Sequence, residues 1–197
     1  FEKIIARVKQ DNVLVIFDEV QTFGRLSQPF AFQHFGLNEH ADIVTIGKIT
    51  QLCATFYGTH LKPEGPLLSQ TFTAASSSIE AALVVLDELE QSDCFGPHGR
   101  NMSRHAYFAE QLDRLSREFP GKLSGPFGCG MMIAITPGDG SAQAANDLVH
   151  ALFQAGLMGF VAGSNPSRVR FLPPPAATTT EHIDAAVQIL ARVLKES

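Results

Sequence analysis

The chain has 197 residues, a formal net charge of −5, and 45% hydrophobic against 18% charged residues, the proportions of an ordinary globular protein with a usable core. Its basic residues form no patch or stripe, which argues against nucleic acid as a partner, and no apolar run reaches the roughly 18 residues of a membrane span. Cys53, Cys94 and Cys129 are odd in number and scattered, which argues against a disulfide framework and for a reducing compartment, with the cytoplasm expected.

The chain opens "FEKIIARVKQDN" without an initiator Met and already in helical periodicity, with Ile4, Ile5 and Val8 on one face. This reads as entry partway through a longer protein, of which the chain is a C-terminal portion. Residues 13 to 58 read as strand, loop, strand, strand: "VLVIF", "DIVTI" and "ATFYG". Apolar runs of this continuity predict a parallel sheet covered on both faces, and the fold class is α/β. A helix is predicted over 77–91, with Ser77 and Glu80 as a capping box. The turn-formers of "QSDCFGPHG" mark a boundary, giving domains 1–92 and 93–197. Beyond it come a helix over 100–118, a strand "MMIAIT" at 131–136, and a helix over 141–155 closed by Gly156. Short strands follow in "LMGFV" and "RVRFL". A last helix is predicted with Thr178 and Glu181 as its capping box, after a proline run, "LPPP", that cannot lie inside a ladder.

Two charged positions stand out. "VLVIFDEV" delivers Asp18 and Glu19 at the end of an apolar strand, and sequential residues on extended backbone point to opposite faces. Lys48 ends the next strand, 30 residues after Asp18, at the sheet edge where open α/β folds bind ligands. The pair could be a simple salt bridge. It also fits pyridoxal phosphate, which needs a lysine for the Schiff base and a carboxylate for the pyridine nitrogen. Burial at such a lysine favours the neutral, nucleophilic amine. A third reading takes "VLVIFDEV" as the magnesium strand of a nucleotide triphosphatase, but "DIVTIGKIT" has Asp42 and Ile49 where a phosphate loop needs Gly and Ser or Thr. The seven histidines contain no H-E-x-x-H and the cysteines no C-x-x-C, so no metal site is expected. Cys129 reads as a small packed residue, and His34 and His40 as loop-packing residues.

"FDEVQT" (17–22), "FAFQHFG" (30–36), "DIVTIGK" (42–48) and "RVRFLPPP" (168–175), in this order, resemble the class III pyridoxal-phosphate-dependent aminotransferases. "GKITQLC" is similar to their lysine ε-aminotransferase branch. The resemblance implies the C-terminal part of a fold-type I transferase, with the end of the large cofactor domain followed by a small α/β domain. It implies pyridoxal 5'-phosphate as cofactor, with Lys48 as Schiff-base lysine and proton carrier. Asp18 would pair with the ring nitrogen, Val20 would pack on the ring, and Gln21 would reach its phenolic oxygen. Thr71 would contact the cofactor phosphate of a neighbouring subunit, and Arg170, with Arg168 as a nearby competitor, would clamp a substrate carboxylate.

The activity so implied moves an amino group from an ω-amino acid such as lysine or ornithine to 2-oxoglutarate, in a homodimer. The chain departs from the family in four places, one of them a stretch between Lys48 and Thr71 that is several residues short. "DEVQTFGR" lacks one glycine, "TFTAASSS" stands where the family has a glycine-containing segment, and "GPFGCGMMIAIT" follows the family's glycine-rich strand entry only loosely. The altered "TFTAASSS" motivates an alternative, a catalytically degenerate subunit. The 197 residues alone are expected to be inactive and to bind cofactor weakly.

Overall fold

The computed structural model describes residues 1–65 and 75–196, divided into two units, Phe1–Phe95 and Gly96–Ser197. In the first unit, helix α1 (Glu2–Gln10) precedes strands β1 (Ile16–Asp18), β2 (Ile43–Ile46) and β3 (Ala54–Tyr57), ordered β1-β2-β3 in one sheet. A short helix α2 (Ala31–His34) lies between β1 and β2, and α3 (Ser76–Gln91) closes the unit. Ile5 of α1 is buried while Ile4 is 69% exposed, so the apolar face of this helix is narrower than its periodicity predicts. The first strand is shorter than expected, because Val13 and Leu14 stay exposed ahead of it.

The sheet is not all parallel. β1 and β2 run parallel, but β3 pairs antiparallel to β2. A parallel return needs a crossover of a dozen or more residues, and the link from Gly47 to Cys53 is too short for one. Nor are both faces covered among the described residues: Ile16, Phe56 and Tyr57 are exposed. α3 also differs at its start, where Ala75 is the N-cap and no side chain caps it. The predicted Ser77–Glu80 box fails because Ser77 already lies inside the helix.

The register of β1 on β2 is anchored at its entry. The Asp42 carboxylate pairs with the Lys9 ammonium of α1 and accepts a hydrogen bond from Val15 N at 2.6 Å. These two partners hold the Asp42 carboxyl below its ordinary pKa, the Lys9 hydrogen bond contributing most. Because the folded value is lowered, the contribution is complete above the unfolded pKa of about 4 and is lost as pH falls through the folded value. Asp42→Asn should therefore cost about 1–2 kcal/mol near neutral pH, on the scale of a hydrogen bond to a charged group. The deficit should shrink in urea melts below about pH 4. A deficit independent of pH would contradict the charge-based account.

The second unit holds α4 (Arg100–Glu118), β4 (Leu123–Cys129), β5 (Met132–Pro137), α5 (Ala142–Gln154), β6 (Phe160–Ala162), β7 (Arg168–Phe171) and α6 (Thr180–Glu196). Its sheet is antiparallel, ordered β4-β5-β7-β6. Leu112 and Leu115 of α4, Leu148 and Leu152 of α5, and Val187 and Leu190 of α6 pack with Ile133, Ile135, Val169 and Phe171 in one core. The period-2 alternation of β5 and β7 puts these four strand residues on the helix-covered face. Ser141 caps α5, its hydroxyl accepting from Ala144 N at 3.1 Å. Gly156, at φ +92°, ends that helix with a Leu157 N to Leu152 O bond of 2.8 Å, the pattern a left-handed glycine permits.

Two elements depart from expectation here. β4 was not predicted, since its "LSGPFGC" contains two glycines and a proline. The ladder accommodates them through a register irregularity between Ser124 and Phe127. The capping box of α6 sits one residue later than predicted. His182 N donates to Thr179 Oγ1 at 3.4 Å, and Thr179 N donates to His182 Nδ1 at 3.2 Å. Thr178 instead donates its hydroxyl to Pro174 O at 2.7 Å, tying the proline run to the helix start. Among the described residues no helix is long and apolar enough to cross a membrane.

Candidate cofactor site at the β1–β2 edge

Parallel pairing places Asp18 opposite Thr45, and the ladder ends there with Glu19 N donating to Thr45 O at 2.8 Å. From this point the two acids diverge. Glu19 is 1% exposed; it accepts from Phe32 N at 2.9 Å and from the Thr22 hydroxyl. A buried carboxylate so satisfied is a structural tie, holding the loop after β1 against α2. Phe23 N also returns to Glu19 O at 2.9 Å. The loop that lacks one glycine is thus closed through Glu19.

Asp18 faces the other way and is exposed. Its Oδ1 accepts from Val20 N at 3.0 Å and from Thr45 Oγ1 at 3.4 Å. The first contact is an Asx-type turn that fixes the carboxyl in place. Among the described residues no hydrogen bond engages Oδ2, so one oxygen is oriented and still available to a donor.

Lys48 follows β2 after Gly47. A Cβ at Gly47 would lie 3.2 Å from Cys53 Sγ and 3.5 Å from Val20 Cγ1, so glycine lets the end of β2 press against Val20. Lys48 itself sits at φ +56°, a left-handed conformation uncommon for a side chain with no local hydrogen-bonding compensation. It starts a 3₁₀ turn, Lys48–Thr50, whose end is closed by Gln51, also at φ +56°. Gln51 donates to Lys48 O through both its backbone N, at 3.0 Å, and its side-chain amide, at 3.2 Å. The neighbouring Thr50 is buried and donates to Leu52 O at 2.5 Å. An over-determined turn of this kind is where proteins hold a strained residue with a function.

The Lys48 amine donates to Gln21 Oε1 at 3.3 Å. The salt-bridge reading of Asp18 and Lys48 is not met. The ion pairs among the described residues join Arg7 to Asp11, Lys9 to Asp42 and Arg117 to Asp113. The expectation of a buried lysine is not met either, for Lys48 is exposed. Four of the six predicted residues, Asp18, Val20, Gln21 and Lys48, therefore gather at one edge of two neighbouring parallel strands. Thr71 lies outside the described residues. Thr45 was missed by sequence reasoning; the signal for it is register, since only strand pairing sets it opposite Asp18.

Arg170 belongs to the second unit. It sits in the β7 ladder between Ala134 and Phe160, on the face opposite Val169 and Phe171. Its competitor Arg168 lies two residues away on the same face, with its guanidinium 4.3 Å from the centre of the Phe127 ring. Elsewhere, burial raises the pKa of the Cys129 thiol, in keeping with a packing residue. His34 bonds Ser27 Oγ at 2.7 Å. Among the described residues no group of three His, Cys, Asp or Glu side chains is placed to hold a metal ion.

The chain is similar to known proteins along nearly its whole length. The family profile described as Aminotransferase class-III matches residues 1–194. The L-lysine-epsilon aminotransferase of Mycobacterium tuberculosis is 28% identical over 191 residues, covering 93% of this chain and 40% of that protein. The acetylornithine aminotransferase of Aquifex aeolicus is 30% identical over 196 residues, covering 94% and 46%. Among solved structures, a lysine aminotransferase from M. tuberculosis in the internal aldimine form superposes with a TM-score of 0.81 at 27% identity, covering 98% of this chain and 44% of that one. The chain thus spans less than half the length of these relatives. With its mixed helix and sheet architecture and its profile match along nearly the whole length, the chain belongs to the class III aminotransferases, pyridoxal-phosphate-dependent proteins of fold type I.

Proposed function

We propose that this chain carries the covalent lysine and ring-nitrogen carboxylate of an aminotransferase that moves an amino group from an ω-amino acid, such as lysine or ornithine, to 2-oxoglutarate. The observation that supports it most is the edge shared by β1 and β2. There, among the described residues, Asp18 keeps one oriented carboxylate oxygen unengaged, and Lys48 is paired only with a neutral amide. That donor set fits pyridoxal 5'-phosphate, which when bound supplies an electron-withdrawing ring able to delocalise negative charge from the substrate carbon.

Each residue has a task of its own. The Lys48 amine would hold the cofactor covalently, and when free it would hold and move a proton at its Nζ. Asp18 would hold the pyridine nitrogen in its protonated form, a task that a carboxylate performs and an amide does not. Gln21, already bonded to the lysine amine, offers a hydrogen bond to the phenolic oxygen, and Val20 supports the ring face. Arg170 would receive a substrate carboxylate through its planar fork, and Thr71 would serve the cofactor phosphate of a neighbouring subunit. Residues 1–92 form the end of the large cofactor domain and 93–197 the small domain of a cytoplasmic homodimer.

The test is chemical trapping. Full-length protein incubated with pyridoxal phosphate and reduced with borohydride should yield one modified peptide, with the added mass on Lys48. Modification at another lysine refutes the assignment. A colourless, unmodified protein supports the degenerate-subunit alternative motivated by "TFTAASSS". Single-turnover absorbance changes with lysine, ornithine and acetylornithine then separate the donors.

A further inference from the structure

Three polar atoms on one face of the second sheet are buried without a hydrogen-bond partner among the described residues: Thr136 Oγ1, Arg168 Nε and Arg170 Nε. Their places in the ladder make them neighbours. Ala134 pairs with Arg170 and Ile135 with Val169, so the next step of the antiparallel register sets Thr136 beside Arg168. All three alternate away from Ile133, Ile135, Val169 and Phe171, which pack under the helices. They therefore share the face that the core does not use. Thr136 is 7% exposed, so its hydroxyl has little access to bulk water.

Native proteins leave few buried donors unpaired, and those they leave call for an explanation. A guanidinium stays charged at every physiological pH, yet no ion pair among the described residues involves either arginine. Stacking on Phe127 accounts for the plane of the Arg168 guanidinium but satisfies none of its N–H groups. Two guanidinium groups without an ion-pair partner among the described residues, two residues apart on one strand and about 6.6 Å apart along it, match the two ends of a short dicarboxylate.

We propose that Arg168 is a second carboxylate-recognising residue, which with Arg170 makes the core-free face of the second sheet selective for a dicarboxylic acid over a monocarboxylic one. The Phe127 ring fixes the Arg168 guanidinium in advance, and the Thr136 hydroxyl adds a polar contact beside it. The proposal rests on the aminotransferase reading only for its biological meaning, since it makes Arg168 the residue that selects a dicarboxylic amino acceptor.

The test is direct binding, by calorimetry on full-length protein, of glutarate and of propionate to wild type, Arg168→Gln and Arg170→Gln. Circular dichroism confirms folding of each variant. Arg168→Gln should weaken glutarate about tenfold to a hundredfold, the span expected for hydrogen bonds to a charged group, while propionate affinity stays within twofold. Arg170→Gln should weaken both acids. Equal losses for the two acids in Arg168→Gln, wild-type affinity for glutarate in that variant, or no preference for glutarate in the wild type each overturn it. A misfolded Arg168→Gln is replaced by Phe127→Leu, which removes the stacking ring and should lower the glutarate preference; an unchanged preference overturns the proposal. Binding requires no turnover, so its failure is distinguishable from absence of the Lys48 adduct.

Discussion

Lys48→Arg in the full-length protein is expected to abolish transamination, lowering turnover about 10⁴-fold, the upper range for loss of a positioned acid–base group, together with the borohydride-stable adduct. Arginine keeps the positive charge and most of the length, so the Gln21 contact and local electrostatics survive. It cannot serve as a neutral amine, because the guanidinium does not deprotonate in proteins. The substitution thus separates charge from nucleophilicity at one position. Turnover within tenfold of wild type would remove Lys48 from its proposed role. Loss of turnover with the adduct retained would place the anchor on another lysine.

The second large effect concerns stability. Gly128 lies in β4 opposite Ile133, at φ +110°, and a Cβ there would fall 2.2 Å from Met132 O and 3.2 Å from Met132 C. Those atoms are backbone of the paired strand, so relief requires breaking the ladder. Gly128→Ala should cost about 3 kcal/mol or more, combining a disfavoured backbone region with a core-strand distortion, and lower the unfolding temperature by more than about 10 °C. Gly121, at φ +80° with no atom within 4 Å of its virtual Cβ, is the control. Gly121→Ala pays only the conformational term, about 1–2 kcal/mol. Equal losses in the two variants would refute the steric account.

The contrast between those glycines shows what the sequence left unreadable. "GPFGCGMM" looks like a turn because Gly and Pro punctuate it, and only the partner strand reveals it as half of a ladder. The capping boxes of α3 and α6 missed for a related reason. Ser77–Glu80 and Thr178–Glu181 satisfy the spacing, but the cap is decided by where the backbone enters the helix. Thr179 won at α6 because His182 returned its hydrogen bond. β3 was legible as a strand and not in direction, since direction depends on the length of the link.

At the candidate site, residue type and spacing were informative because two strand ends and a lysine make a local pattern. Asp18 and Lys48 stood out on those terms, whereas Gln21 entered only through the resemblance to the family that the profile match shows. Thr45 and the structural task of Glu19 were not readable, since both depend on pairing across the fold. Arg168 looked like a mere competitor for the role of Arg170. Only the Phe127 contact sets it apart from Arg170, with which it shares a buried Nε unpaired among the described residues.

The left-handed backbone at Lys48 sets two selective pressures at odds within a single codon. Thermodynamics alone would drift that position toward glycine or asparagine, which rest there comfortably, whereas an amine on a long flexible stem can come only from lysine. A lineage freed from the need for turnover would be expected to shed this residue early and gain robustness by doing so. A lysine at this backbone position is therefore what a requirement for its amine, and not for stability, would produce.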